Sequence, residues 1–564
     1  MRRILISVRR FAIFCHRWMG VVFCLLFSWW FVSGIFMMYW DFPSVSPADR
    51  LDRSKPIDVS KIHISPREAW AKLGLNHPPA GARLEMFDER PVYRFPPDGG
   101  GRGGRRAGRG GRGGGNAPAI VYADDGSVQQ GYSKEMLLRI AAAWTRQAAG
   151  AARVEEVTQV DQWTVQAGLR ALRPLWKYSF PDGRQVYVSG ASGEVVQYTT
   201  TGSRLGAWLG AIPHWLYFTP LRTQQKLWSN IIIWSSGIGT IMELLGLIVG
   251  ISMYSPSQKY RFKKIPSSIP YSGQKRLHMT LGLFFGILTC TWAFSGMLSM
   301  DPPFLADQRR PGATGGRGGR READNPATRV QAALRPGPFD ISAYDYKAPK
   351  VALMDLGGLP VKQLDFTSFD GQPVYMASLG AGQTRIVPVD GDPMAEFDRA
   401  RILDMVIVAA LPVPLTESRL MTQYDAYYLD RHHERPLPVV FVRLNDPQHS
   451  QFYIDQRTGR IVGQYSDNSS FVTRWLYHGL HSMDFPWLYN HRPAWDIVVL
   501  TLMLGGLSLS VTSVIMGWRV MRRTLGAIAG SRIFQGLSSD GNNQLRQFSG
   551  GIQADGHSDE RIQH

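Results

Sequence analysis

Cysteine is almost absent from this chain of 564 residues, which contains only three. Cys15, Cys24 and Cys290 all lie in or beside long apolar stretches, and the polar parts of the chain contain none. A disulfide framework in those polar parts is therefore excluded, and so is an iron–sulfur cluster, which needs a set of cysteine ligands. The motif Cys-x-x-Cys-His does not occur either, which excludes covalently attached haem of the c type.

Four apolar stretches reach the roughly 20 residues that a helix needs to cross a bilayer. They are predicted to be transmembrane helices at residues 18–40, 228–253, 277–300 and 495–520. The first stretch is too long for the apolar core of a signal peptide, and no small-residue cleavage site follows it, so we interpret it as a membrane anchor. Two large polar segments, 41–227 and 301–494, separate the spans.

Acidic residues are fewer than basic ones, 45 against 63, and the formal net charge is +18. Basic residues cluster in the first 17 residues, in the short loop 254–276 and just after the last span. The positive-inside rule then predicts that both termini and this loop are cytoplasmic and that both polar segments are periplasmic, in the inner membrane of a bacterium. The tail 521–564 is predicted to be largely disordered.

The positive charge also raises the question of nucleic-acid binding. Residues 99–115 read GGGRGGRRAGRGGRGGG, and residues 315–321 are similar. Both segments fall in the parts predicted to be periplasmic, where no nucleic acid is expected. We interpret them as flexible, solvated insertions, and no nucleic-acid partner is predicted.

Two of the predicted spans begin with the same pattern of residues. His16 and His278 are each followed by glycine after four residues, by tryptophan after fourteen and by Ser-Gly after seventeen. The matching residues are Gly20, Trp30, Ser33 and Gly34 in the first span, and Gly282, Trp292, Ser295 and Gly296 in the second. Small residues let helices pack closely in lipid, but this does not explain the histidines.

The two polar segments also end alike. QVYVSGASGEVVQY (185–198) and QFYIDQRTGRIVGQY (451–465) each predict a strand, a glycine turn and a second strand. His214 and His481 then precede the other two spans, with tryptophan, phenylalanine and glycine at equal distances from each histidine. We therefore predict an internally duplicated membrane α-helical fold, with a pseudo-twofold axis along the membrane normal and two α+β periplasmic domains.

Such an axis would pair His16 with His278 near the cytoplasmic face and His214 with His481 near the periplasmic face. Two facing imidazoles can ligate a haem iron from both sides, and an iron closed in this way favours electron transfer. His478, one helical turn from His481, is an alternative ligand. A zinc site would need more ligands than one such pair offers. The simplest alternative is that these histidines are interfacial polar residues.

Several charged side chains accompany these histidines. Five arginines are candidate partners for haem propionates, although lipid head groups or the positive-inside rule explain them equally well: Arg17, Arg276, Arg222, Arg474 and Arg492. Glu243 lies inside a span, where an acid is by default a functional candidate, for proton movement or a quinol pocket. Residues 424–439, YDAYYLDRHHERPLPV, could form a substrate or metal site, or the edge of a small α+β domain.

Longer motifs resemble a known family, the PepSY-associated transmembrane helix proteins. They are HRWMG and HMTLG at two spans, then IPHWLYFTPLR, YYLDRHHERPLPVVFVRL, FYIDQRTGRIVGQY and WLYHGLHSMDFPWLYNHRPAWD. The resemblance covers nearly the whole chain except the Gly/Arg insertions and the tail after about residue 526. It implies four spans and two PepSY-like periplasmic domains. Some members resemble inner-membrane haem b reductases that release iron from ferric siderophores.

The resemblance implies two haems b, with His16, His278, His214 and His481 as the ligands. The predicted function is a di-haem electron conduit in the inner membrane that reduces a ferric siderophore, or another ferric chelate, in the periplasm. The electrons would come from a cytoplasmic flavin or NAD(P)H partner or from a quinol. The alternative is a PepSY-type binding or regulatory module, a peptidase modulator or a sensor, without redox activity. No catalytic residue is predicted.

Overall fold

The computed structural model of this chain describes the residues 2–97, 118–262, 264–300, 302, 325–431, 433–467 and 471–549, the last of them without side chains beyond residue 525. The two Gly/Arg segments, 99–115 and 315–321, and the last part of the tail lie outside the described residues. The chain divides into two compact units. The helical unit comprises residues 1–31, 238–290 and 501–564, and the sheet unit comprises residues 32–237 and 291–500.

Four of the described helices are long and apolar enough to cross a membrane. They are α1 (Arg2–Met37), α8 (Gln225–Met253), α9 (Gly273–Leu298) and α15 (Ala494–Ser549). Their apolar parts, Ile6–Met37, Gln225–Met253, Gly273–Leu298 and Ala494–Leu525, cover the four predicted spans almost completely. The prediction of four membrane-spanning helices is confirmed at the level of helix length and composition.

The last helix is longer than the sequence predicts. A largely disordered tail is expected from residue 521, whereas α15 continues to Ser549. Residues 521–549 contain no proline, the residue that most strongly interrupts a helix.

In the helical unit, large aromatic side chains meet glycines on neighbouring helices. A Cβ atom at Gly505 of α15 would lie 2.3 Å from the ring of Phe285 of α9, and one at Gly506 would lie 2.5 Å from the ring of Phe31 of α1. Only glycine therefore permits this approach of the helices. A short hairpin, β8 (Tyr260–Phe262) and β9 (Ile265–Ser267), connects α8 to α9.

The first part of the sheet unit runs from α2 to α7. Its elements are α2 (Pro47–Arg53), α3 (Pro66–Ala71), β1 (Ala82–Phe87), β2 (Arg90–Phe95), β3 (Ala119–Tyr122), α4 (Lys134–Thr145), β4 (Arg153–Val157), β5 (Leu175–Ser179), β6 (Gln185–Ser189), β7 (Val195–Thr199), α5 (Thr201–Leu209), α6 (Ala211–His214) and α7 (Thr219–Arg222). Short 3₁₀ helices lie at Val59–Lys61, Ala149–Ala151 and Ala167–Leu172.

The second part repeats this order of two helices, three strands, a helix and four strands. Its elements are α10 (Pro326–Ala333), α11 (Pro349–Asp355), β10 (Gln363–Phe369), β11 (Gln372–Gly380), β12 (Gln383–Pro388), α12 (Arg399–Ala410), β13 (Leu415–Met421), β14 (Val439–Leu444), β15 (Gln451–Asp455), β16 (Arg460–Tyr465), a π-helix (Val472–Gly479), α13 (Leu480–Ser482) and α14 (Pro486–Tyr489). A 3₁₀ helix lies at Ile341–Asp345. The strands predicted at 185–198 and 451–465 are confirmed as β6–β7 and β15–β16.

One sheet joins the two polar segments that the sequence predicts as separate domains. Its strand order is β12-β11-β10-β1-β2-β3, and β1 pairs with β10 in antiparallel fashion, with Leu84 opposite Leu364. Both leucines are fully buried, in a core that also contains Tyr93 and Tyr375. The sheet unit therefore has a core built from both halves of the chain.

The two four-stranded sheets are both antiparallel meanders, β4-β5-β6-β7 and β13-β14-β15-β16. Each sheet also has a corresponding, partly buried hydrogen bond between a tyrosine and an aspartate. The hydroxyl of Tyr187 on β6 donates to Asp161 Oδ2 at 2.7 Å, and the hydroxyl of Tyr453 on β15 donates to Asp425 Oδ2 at 2.9 Å. In each case the aspartate precedes its sheet's second strand, and the tyrosine lies on the third.

Candidate functional site

His16 and His278 lie side by side in the helical unit. The centres of their rings are 6.2 Å apart, and the ring planes are inclined by 41°. His16 Nδ1 lies 2.9 Å from the carbonyl oxygen of Met242 on α8, and His278 Nδ1 lies 2.9 Å from Thr512 Oγ1 on α15. Since the histidines belong to α1 and α9, all four long helices contribute to this pair.

His214 and His481 form a second pair in the sheet unit. Their ring centres are 6.1 Å apart, with an interplanar angle of 68°. His214 Nδ1 lies 3.2 Å from Ser33 Oγ, and His481 Nδ1 lies 3.0 Å from Ser295 Oγ. The indole of Trp292 donates to the carbonyl of His481 at 3.0 Å. The structure thus brings together the histidines that the sequence pairs.

Both separations fit one metal ion held between two imidazoles. A metal–nitrogen bond measures about 2.0–2.1 Å, and the ring centre lies about 1.1 Å beyond the nitrogen, so two rings that share an ion have centres about 6.3 Å apart. Aromatic rings in simple contact cover a range of about 4.5–7 Å, which includes this value. The choice between ligation and packing therefore depends on which nitrogen each ring presents.

For His16 the hydrogen-bond partner fixes that nitrogen. The carbonyl of Met242 can only accept, so Nδ1 of His16 carries the proton and donates it. Nε2 is then the unprotonated nitrogen of the neutral ring, the atom that can bind a metal. A metal-ligating histidine almost always donates its other ring N–H in this way.

The hydroxyl groups at His278 and His481 lead to the same tautomer. Thr512 Oγ1 already donates its proton to the carbonyl of Leu509 at 2.6 Å, so it accepts the bond from His278 Nδ1. Ser295 Oγ likewise donates to the carbonyl of Trp292 at 3.1 Å and accepts from His481 Nδ1. The sequence identified Ser295 only as a small packing residue, and its hydrogen-bonding role became visible in the structure.

The protonation state of His481 is also the one that a metal ligand requires. Desolvation lowers the pKa of His481 to about 3, and the neighbouring His214 acts in the same direction. The ring is therefore neutral at physiological pH, which is the form that binds metal.

The structure places His481 rather than His478 against His214. His478 lies in the π-helix, where its Nδ1 is 3.7 Å from Asp484 Oδ2, and its side chain is 47% exposed. Its ring packs on Tyr477 with centres 4.7 Å apart. The two histidines are three residues apart along the chain, so spacing alone left both open.

Two of the five candidate arginines are buried. The guanidinium of Arg222 lies over the rings of Trp228 and Tyr217, at 4.3 and 5.1 Å from their centres, and donates to Gln225. Arg474 lies over Trp475 at 4.6 Å, and it donates to the backbone carbonyls of Ala426 and Asp484. The π-helix and α7 therefore each hold a buried cation.

The other three arginines are more accessible. Arg492 pairs with Asp496 at 2.5 Å, and the guanidinium of Arg17 lies 5.4 Å from the ring centre of Trp18. The side chains of Arg17 and Arg276 are exposed. These contacts are those expected of residues at the ends of membrane helices.

Glu243 lies on α8, next to Met242, which holds His16. The hydroxyl of Thr289 on α9 donates to Glu243 Oε2 at 3.1 Å. Within the described part of the chain, no lysine or arginine lies within ion-pair distance of this carboxyl group, so its polar contact comes from the neighbouring helix.

In the segment 424–439, the polar side chains mainly shape the loop itself. Asp430 Oδ2 accepts from the backbone nitrogens of Glu434 and Arg435 at 2.6 and 2.7 Å. Tyr428 stacks on Tyr453 of β15 at 4.8 Å between ring centres. These contacts favour the interpretation of this segment as a domain edge over that of a metal or substrate site.

The donor set fits haem iron better than other metals. Each pair supplies two imidazoles, and the described residues contain no group of three or more His, Cys, Asp or Glu side chains that could hold an ion. A zinc ion needs about four ligands from the protein and water. An iron in a porphyrin already has four nitrogens and needs only two axial ligands.

Two comparisons of the sequence with known proteins identify no relative. No protein-family model matches the chain, and no curated protein matches its sequence. The functional assignment therefore depends on the two histidine pairs and their surroundings.

Proposed function

We propose that this protein is a membrane electron conduit with two b-type haems, one ligated by His16 and His278 and the other by His214 and His481. The observation that carries the proposal is the repeated geometry of the two pairs, with ring centres 6.2 and 6.1 Å apart and Nδ1 hydrogen-bonded in all four rings. When bound, each haem would supply one-electron redox chemistry, with the two histidines of its pair as the ligands from the protein.

The surroundings of His16 support a flat ligand. Gly20 lies one turn after His16 on the same helix face, and a Cβ atom there would meet nothing within 4 Å. On α9, Gly282 follows His278 at the same interval, and a Cβ there would lie 3.8 Å from Leu509 Cδ1. Both glycines leave room beside the histidine that a larger side chain would occupy.

The contacts also support the duplication of the chain. Ser33 and Ser295 follow His16 and His278 at the same interval, and each lies against the later histidine of its own half. Met242 and Leu509 lie at the same interval after His214 and His481. Met242 accepts directly from His16, and Leu509 accepts from the threonine that holds His278. Two copies of one unit account for this parallel.

In the proposed reaction, His16 and His278 would hold the haem that receives electrons from a cytoplasmic or quinol donor, and His214 and His481 would hold the haem that passes them on. The acceptor is a ferric siderophore or a similar ferric chelate, bound by the PepSY-like domains in the periplasm. Reduction to the ferrous state weakens the hold of hard oxygen ligands on the metal and releases it. This choice of acceptor, the inner-membrane location and the cytoplasmic termini depend on the family resemblance and on the distribution of basic residues.

The first test is a count of haems. We expect the purified protein to show b-type bands in a reduced-minus-oxidised spectrum and about two haems per chain in a pyridine haemochrome assay. His16→Ala and His214→Ala should each remove about one haem, because each deletes an axial ligand. His478→Ala, the matched control, should retain both.

A folded, detergent-soluble protein without a Soret band would contradict the proposal. The alternative, a PepSY-type modulator or sensor without redox activity, would then take its place. If haem is present, reduction of a ferric chelate by dithionite-reduced protein should slow strongly in His214→Ala and remain normal in His478→Ala.

A further inference from the structure

We infer that Arg222 binds a carboxylate ligand, and we assign this ligand as a propionate of the haem held by His214 and His481. The inference rests on the proposed function and selects one of the five candidate arginines. The observation behind it is that Arg222 is a buried cation with no carboxylate partner among the described residues.

Arg222 is buried, with 8% of its surface exposed. Among the described residues, no aspartate or glutamate lies within ion-pair distance of it, and its Nε atom is buried without a hydrogen-bond partner. Two aromatic rings and the amide of Gln225 surround the guanidinium. Buried charges in proteins are normally paired, so this arrangement calls for an anion that the described residues do not supply.

The position of Arg222 connects it to His214. Trp228, whose ring carries the guanidinium, donates from its indole to the carbonyl of Trp215 at 2.7 Å, directly after His214. The segment between His214 and Arg222 is fixed as well, because Gln162 donates to the carbonyl of Tyr217 at 2.7 Å. Arg222 and His214 therefore belong to one segment whose parts are held together by these contacts, which connects the proposed anion site at Arg222 to the element that carries His214.

The other arginines fit this role less well. Arg492 already has a carboxylate partner in Asp496 at 2.5 Å. Arg474 is also buried, and its Nη1 atom has no hydrogen-bond partner among the residues that the structure describes, but its other two nitrogens donate to backbone carbonyls, whereas the Arg222 guanidinium makes a single hydrogen bond with these residues, to Gln225. Arg17 and Arg276 are exposed. A guanidinium fork matches a carboxylate in geometry and charge, which makes a porphyrin propionate the natural partner of Arg222.

The test uses the redox potential of a single haem, measured in a His16→Ala background that retains only the His214–His481 site. Removing the cation beside an ionised propionate favours the ferric state. We expect Arg222→Gln to shift the reduction equilibrium about tenfold towards the oxidised form, which is about 59 mV for one electron. Arg222→Lys keeps the charge and should retain most of the potential, and Arg492→Gln is the matched control.

The second measurement changes the ligand instead of the protein. Haem-deficient cells are supplied with haemin or with haemin dimethyl ester, whose propionates carry no charge. The protein with Arg222 should take up haemin in preference to the ester, and Arg222→Gln should reduce that preference severalfold.

The inference is overturned if Arg222→Gln leaves both the potential and the preference unchanged, or if Arg222→Lys lowers the potential as much as Arg222→Gln does. If neither the unmodified protein nor His16→Ala contains any haem, the proposed function is overturned together with this inference. A haem-loaded protein with an unchanged Arg222→Gln potential would overturn only the inference.

Discussion

Serine and threonine hydroxyl groups decide how three of the four paired histidines are held. Ser33, Ser295 and Thr512 lie against Nδ1 of His214, His481 and His278, while His16 uses a backbone carbonyl instead. A hydroxyl that accepts from Nδ1 fixes both the orientation of the ring and its tautomer. These residues are therefore as much a part of each site as the histidines.

Ser295→Ala should weaken the His214–His481 site without unfolding the protein. The change removes the acceptor of His481 Nδ1, and loss of such a partner typically lowers the affinity of a metal site by about 10- to 100-fold. Retention of haem during dilution with apomyoglobin measures the effect. The control is Ser299→Ala, one turn further on, where the hydroxyl donates only to the carbonyl of Gly296. Equal retention in both variants would contradict the role of Ser295.

Asp484 should make the stability of the protein depend on pH. Burial raises the pKa of Asp484 to about 6, against an ordinary value of 3.8, although Arg474 acts in the opposite direction. The folded state then binds this proton more tightly than the unfolded state. The resulting stability is present below pH 4 and is lost as the pH rises through about 6, by up to about 3 kcal/mol at pH 7.

Asp484→Asn should abolish this loss of stability at rising pH. We expect the variant to unfold at a higher temperature than the unmodified protein at pH 7 to 8, and at a similar temperature near pH 4. Thermal unfolding in detergent, followed by tryptophan fluorescence, measures the difference. A variant that is less stable than the parent at pH 8 would show that the carboxylate is needed for its charge.

At the scale of whole elements, α8 packs closely against α1 at His16. A Cβ atom at Gly246 would lie 2.4 Å from Cε1 of His16, and so the two helices meet there without room for any side chain. Gly246 is one turn after Met242, which accepts the hydrogen bond from His16. A single face of α8 thus supports the ring from two sides.

If the proposed haems are bound, Gly246→Ala should displace His16 and remove the haem of the His16–His278 site, leaving about one haem per chain. Gly250→Ala is the matched control on the next turn, where the new methyl group would lie 3.5 Å from Leu283 Cδ2, an ordinary contact. The pyridine haemochrome assay gives the count. Two haems in Gly246→Ala would mean that the packing against α8 does not position this ligand.

At the scale of the whole molecule, the sheet unit depends on the pairing of β1 with β10. Leu84 and Leu364 lie opposite each other across this pairing, and both are fully buried. The two polar segments therefore share one core, and neither is expected to be stable when it is produced alone.

Leu84→Ala and Leu364→Ala should each lower the free energy of unfolding by about 2–5 kcal/mol, the usual cost of a buried leucine. Because the two side chains are neighbours, the decrease in the free energy of unfolding of the double variant should differ clearly from the sum of the two single decreases. Chemical denaturation followed by tryptophan fluorescence provides the values. Two separate transitions with additive effects would indicate independent domains.

Much of the candidate site was predictable from the sequence, because its signals are local or repeated. The apolar stretches, the four histidines and their equal surroundings can all be read along the chain. The choice of His481 over His478 was not predictable, since both lie within one turn and only their surroundings differ. The burial of Arg222 was equally hidden, because an arginine between aromatic residues suits a membrane interface as well as a buried site.

The sequence by itself determined where the long apolar helices lie, because the free energy of burying about 20 apolar residues in lipid depends mainly on local composition. It also determined the strands at the ends of the polar segments, through their alternation and their glycine turns. Tertiary structure alone decided other contacts: Thr512 with His278, Ser295 with His481, and β1 with β10. Such pairings join residues far apart in the chain, and their energy depends on packing and hydrogen bonds that no local pattern records.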